Sequence, residues 1–203
     1  DRARLGLAYV EEGTGDLSAA IATLRTAQLE HRTGPGYTEA LEAERRLSQR
    51  LGQPRATFTP TEYRTLSRRL RGYSRYSEAA ALIDEWRSVQ PDAEEQLDAE
   101  LIGVLYDGRS NEEAVALSRT FAARHPSSSL LPEVRLTEFR LAVRMGNTAA
   151  ARTLGLDLWE GRVRGATARQ RFNAGELLAA YLVAVGEVES GLALYRGLFQ
   201  RAT

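Results

Sequence analysis

Apolar residues recur at three- and four-residue intervals along almost the whole chain, and no stretch shows sustained alternation of β-branched and polar residues. That periodicity predicts helices throughout and no sheet. Helix-breaking positions fall at residues 13–15, 34–36, 52–54, Gly72, Pro91, Gly108, Pro126, Gly146, residues 161–165 and Gly186, dividing the chain into about eleven segments, most of them 10 to 17 residues long. Start signals accompany the breaks. Thr59-Pro60-Thr61-Glu62 offers a cap, a proline in the first turn and a glutamate three residues after the cap, and the same spacing recurs at Asp92 with Glu95, Ser110 with Glu113 and Thr167 with Gln170.

Within the helical pattern, small and large residues repeat. The stretch GDLSAAIATLRTAQ places Ala20 and Ala27 one heptad apart with Leu24 between them. Later segments align on it: the small residue recurs as Ala79, Ala114, Ala151 and Gly191; four residues on stand Ile83, Ser118, Gly155 and Tyr195; seven on stand Trp86, Phe121, Leu158 and Leu198. The last three intervals, 35, 37 and 40 residues, are the period of stacked two-helix units. A small residue at a fixed place in each unit marks where two helices cross too closely for a larger side chain, with the residue one turn along filling the adjacent groove.

On these residues the chain resembles the tetratricopeptide-repeat (TPR) family. Leu5-Gly6 and Tyr9, the Gly15-Asp16 turn, and Ala20 with Ala27 match that pattern; Ala79 with Pro91, Ala114 with Pro126, and Gly146-Asn147 with Ala151 match it in part. The resemblance implies an all-α, right-handed α-solenoid of stacked antiparallel helix pairs. The units are divergent: Trp86 and Phe121 stand where the family prefers alanine, Gly191 replaces the first alanine, and the segment 134–145 fits only with a shifted register. Ala20 and Ala79 are 59 residues apart, neither one period nor two, with a single helix over 37–51 between them. The expected organisation is a unit plus an additional helix at 1–52, a loop at 53–59, and four divergent helix pairs at 60–203.

Composition narrows the chemistry. An apolar share of 43% is enough to build a core, and 27 acidic against 27 basic residues give no net charge to draw the chain to nucleic acid or anionic membranes. No apolar run is long enough to span a bilayer. Cysteine is absent and every basic residue is arginine, which excludes thiol chemistry, Schiff-base catalysis and the phosphate-binding lysine of a P-loop, and points to a G+C-rich genome. His31 and His125 each precede a helix break, where a cation offsets the negative end of the helix dipole. No histidine cluster, Gly-rich phosphate loop or nucleophile elbow is present, so neither enzyme activity nor a metal or cofactor is expected.

The informative surface is the segment 62–78, EYRTLSRRLRGYSRYSE. At about 100° per residue, Tyr63, Leu66 and Leu70 form an apolar stripe and Arg64, Arg68 and Arg71 lie on roughly the opposite side, with Arg75 just beyond the turn. The resemblance implies that this side faces a concave groove. Forked guanidiniums there suit a carboxylate, an acidic peptide or a chain's C-terminus. The bland alternative is a solvated row, neutralised by acids such as Asp84, Glu85, Asp92, Glu94 and Glu95. Tyr63, Tyr73 and Tyr76 between the arginines, and a second basic cluster of Arg162, Arg164, Arg169 and Arg171, raise single-stranded nucleic acid as the lesser rival. The expected function is therefore a non-catalytic scaffold binding a protein or peptide segment. An alternative is the sensor or scaffold portion of a larger bacterial enzyme, regulator or envelope-assembly protein, in cytoplasm or periplasm and cell envelope; HPSSSLLPEV resembles junctions of envelope TPR proteins.

Overall fold

The computed structural model describes residues 2–30, 35–52 and 58–202. Among these there are eleven α-helices and no strand. The chain divides into two compact units, Asp1–Pro91 and Asp92–Thr203. His31, the break at 34, and most of the proposed loop at 53–59 lie outside the described residues.

The first unit holds α1 (Arg2–Gly13), α2 (Leu17–Glu30), α3 (Pro35–Arg50), α4 (Pro60–Gly72) and α5 (Tyr76–Val89). α1 and α2 form a hairpin, α3 packs on α2 and touches α1, and α4 pairs with α5 while touching α2. Leu5, Ala8, Ala20, Leu24, Ala27, Ala40, Ala43 and Leu47 make the core of the first three helices. A polar pair is buried beside it: the side-chain amide of Gln28 donates to Glu44 Oε2 at 2.9 Å, tying α2 to α3.

The second unit is more regular. It contains α6 (Glu94–Asp107), α7 (Asn111–Arg124), α8 (Leu131–Arg144), α9 (Thr148–Trp159), α10 (Ala168–Ala184) and α11 (Val188–Ala202). Each pair packs internally, the second helix of one pair packs on the first of the next (α7 on α8, α9 on α10), and first helices touch first helices. This is stacking of helix pairs, each meeting its neighbours.

The crossings are as tight as the small residues demand. Ala20, Ala79, Ala114 and Ala151 are all 0% exposed. At Gly191 even a methyl group would not fit, since a Cβ there would sit 2.5 Å from Val183 Cγ2 and 2.7 Å from the Ala179 carbonyl oxygen. Gly155 is similarly confined, its notional Cβ 3.0 Å from both Leu178 and Phe139. Trp86 and Phe121, which depart from the family pattern, are wholly buried. The gap that alanine would leave is filled in a different way: Trp86 stacks parallel to Tyr63, with centroids 5.5 Å apart, and Phe121 packs among Ile102, Leu131 and Val134.

A backbone signature accompanies each crossing. Five residues before it, the turn adopts a left-handed conformation at Gly15 (φ 85°), Ser74 (59°), Arg109 (63°), Gly146 (68°) and Gly186 (90°). The following residue's N–H then reaches back five residues, as Asp16 to Glu11, Arg75 to Leu70, Ser110 to Leu105, Asn147 to Ala142 and Glu187 to Leu182, closing a Schellman turn each time.

Two of the four predicted capping boxes form, at Thr59–Glu62 and Thr167–Gln170, where the cap residue is extended with ψ near 158° and 156°. Ser110 precedes α7 but makes no side-chain cap; its ψ is 64°, not the extended value seen at Thr59 and Thr167. Asp92 is no cap either: it lies in a 3-10 turn, Pro91–Ala93, and α6 begins two residues later. Asp16 and Asn147 cap instead, each accepting from the N–H three residues on. α8 begins at Leu131, earlier than the expected 134, because Pro132 sits in its first turn, where no N–H is needed. His125 does close α7: its Nδ1 is 3.4 Å from Glu95 Oε1, and its ring lies against Phe121.

Candidate functional site

α4 is positioned by aromatic packing on one side. Tyr63, Leu66, Ser67 and Leu70 are buried, which places the predicted stripe on the inner face. Phe58, just ahead of the helix, is also buried; it meets Tyr63 edge-on at 5.4 Å and carries the Arg25 guanidinium of α2 over its ring at 4.8 Å. Tyr63 is in turn sandwiched against Trp86 of α5, and its hydroxyl donates to Glu85 Oε1 at 3.2 Å. Each such aromatic pair contributes about 0.5–1.5 kcal/mol beyond its burial, so the rotation of α4 about its axis is fixed.

That rotation decides where the arginines go. Arg68 is exposed, while Arg64 and Arg71, one turn before and after it, are half-buried; all three also interact within the chain. Arg75 is placed differently. It stands at the start of α5, where its Nε and a terminal nitrogen both donate to the Glu78 carboxylate, and its guanidinium lies over the Tyr37 ring of α3 at 5.5 Å. Three of the four predicted residues thus share one side of a helix, and the fourth is gripped by its own unit. Glu78, Glu85, Phe58 and Trp86, which hold this arrangement, were not legible as such: Phe58 stands outside any periodic segment, and Trp86 reads as a mismatch in an alanine position.

Of the tyrosines interleaved with the row, Tyr63 is buried, Tyr76 donates to Ser74 Oγ at 3.3 Å, and Tyr73 is exposed. The second basic cluster does not form one charged face. Arg162 bonds Asp157 at 2.5 Å and also Glu160, and Arg171 folds back over Gly161, while Arg164 and Arg169 are exposed. A hollow beside it is lined by Arg135, Asp157, Arg162 and Arg164, where Arg135 is already engaged by Glu138 at 2.6 Å.

No described helix is long and apolar enough to cross a membrane. No family model and no curated protein matches the chain. Among solved structures the chain is similar to one from Podosopora anserina, described as a kinesin light chain with nearly identical TPR-like repeats; the two are 15% identical, with a TM-score of 0.55, over 98% of this chain and 93% of that one. The fold is therefore TPR-like, an α-solenoid arrangement of helix pairs.

Proposed function

We propose that the chain is a non-catalytic interaction scaffold that binds an acidic protein segment, or a chain's carboxyl terminus, across Arg64, Arg68 and Arg71, with Arg75 bordering the site. The single observation carrying this reading is the fixed rotation of α4: Tyr63 locked between Phe58 and Trp86 turns the arginine row away from the core. A guanidinium has five donors in a rigid fork, so one that is steadied inside the protein can still present a second edge to a carboxylate. A TPR-like fold supports protein interaction in general. Burial of Tyr63 and the absence of net charge weigh against single-stranded nucleic acid, which needs free aromatic faces and a basic track.

Fluorescence anisotropy with pools of Asp- and Glu-rich peptides, in free-acid and C-terminally amidated forms, tests the assignment. The wild-type chain should bind them, and Arg64→Glu/Arg68→Glu/Arg71→Glu should lose binding while keeping its helical circular dichroism. Loss on amidation alone would identify terminal carboxylate recognition. Undiminished binding by the triple variant, or a preference for random single strands over peptides, would refute the proposal.

A further inference from the structure

α11 carries two apolar stripes but uses only one. Gly191 and Leu198 are buried against α10, whereas Val188, Leu192, Tyr195 and Phe199 are exposed, Phe199 by 74%. The exposed four follow a 4-3-4 spacing, which keeps them within a strip about 60° wide along the helix. On α2, α7 and α9 the same face is a helix seat. The positions equivalent to Tyr195 and Phe199 are Leu24 and Gln28 on α2, Ser118 and Ala122 on α7, and Gly155 and Trp159 on α9. All six are buried, in helices that carry α3, α8 and α10 respectively.

The charges beside the stripe say what kind of helix fits. Glu189 and Arg196 border it on the same edge, one heptad apart; both are exposed, and neither is engaged by another described residue. Let a second α11 run antiparallel, with the two-fold axis between Ala193 and Leu194. Val188 then meets the partner's Phe199, and Leu192 meets the partner's Tyr195. In the same register Glu189 lies level with the partner's Leu198, two residues or about 3 Å along the axis from the partner's Arg196 on the same edge and within reach of its long side chain, and the symmetry repeats this pair at the other end. A surface complementary to itself about a two-fold axis defines an isologous contact. We propose that a second copy of this chain covers the stripe, forming an antiparallel α11–α11 homodimer held by the four-residue apolar seam and two reciprocal Glu189–Arg196 ion pairs.

Sedimentation velocity on the 203-residue chain, from low to high micromolar, should show a reversible monomer–dimer equilibrium. Phe199→Glu, a change at an exposed position that leaves helical content intact, should give monomer throughout. Glu189→Arg and Arg196→Glu should each weaken self-association by about tenfold, since each sets like charges opposite one another. An equimolar mixture of these two variants should recover the dimer as a heterodimer, because both ion pairs are then restored. Four results would overturn the proposal: monomer at every concentration; a dimer that survives Phe199→Glu; a mixture no tighter than either variant alone; or a mass that climbs past two chains and falls with Val10→Glu, a change at an exposed apolar position of α1, which would mean head-to-tail stacking. None of these depends on peptide capture, so the two proposals fail independently.

Discussion

Ser74 and Arg109 occupy the turn position that glycine fills in the other three crossings, and they hold the same left-handed backbone with a side chain attached. A Cβ there crowds the following carbonyl at a cost of about 1–2 kcal/mol, while glycine loses part of that gain through its freer unfolded chain. Ser74→Gly and Arg109→Gly should therefore each raise stability by about 0.5–1 kcal/mol, visible as a higher midpoint in urea unfolding with an unchanged slope. The crossing residues respond in the opposite direction. Ala20→Leu and Ala114→Leu insert branched side chains where the native methyl has no exposed surface, and overpacking of about 1–3 kcal/mol should lower both melting temperatures clearly. Unchanged melting in both variants would contradict the close-crossing geometry. These positions were legible because size is written directly in the residue type. The left-handed turn was legible only at Gly15, Gly146 and Gly186; at Ser74 and Arg109 the backbone is imposed by the packing of the helices on either side, so the residue type gives no sign of it.

At the level of elements, the existence and pairing of helices followed from periodicity, but their starts depended on backbone details that a motif does not carry. The spacing at Ser110 and Asp92 is the same as at Thr59 and Thr167, yet a side-chain cap forms only at the latter two. The buried face of α4 could be read from Tyr63, Leu66 and Leu70, whereas the engagement of Arg75 by Glu78 depends on where the α4–α5 turn releases the chain. α1 and α3 are joined by a network of the same kind: the Tyr9 hydroxyl donates to Glu39 Oε1 at 2.6 Å, and Arg46 and Arg50 each bond Glu12 at 2.6 Å. The bond to the Glu39 carboxylate, helped by burial, holds the Tyr9 phenol above its ordinary value of 10.0. Because the folded state binds this proton more tightly than the unfolded state, the contribution is complete below pH 10.0 and is lost as the pH rises through the elevated folded value. Tyr9→Phe should therefore melt below wild type at neutral pH, with the difference shrinking in strongly alkaline buffer. A gap that stayed constant or widened with pH would mean that the Tyr9–Glu39 bond does not stabilise the α1–α3 contact.

Within each unit, stability is built from contacts between neighbouring helices. α8 touches α6, α7, α9 and α10, and its core partners Phe139, Ala151, Leu158, Leu178 and Leu182 all come from α8, α9 and α10. Within the first unit, α1–α3 have a core of their own, closed by Ala20, Ala40 and Ala43. In such an array the free energy of opening is a sum of local and nearest-neighbour contributions, so damage should spread by adjacency and not to every helix alike. Ala151→Leu should accordingly speed amide hydrogen exchange in α8, α9 and α10, where its side chain forces the crossing apart, and leave protection in α1–α3 at the wild-type level. The converse variant, Ala20→Leu, should loosen α1–α3 and spare α8–α10. Exchange measured by mass spectrometry on proteolytic peptides resolves both patterns. A uniform loss of protection from either substitution would show one cooperative core in place of stacked pairs, and the assignment of tight crossings as local closures would fail with it.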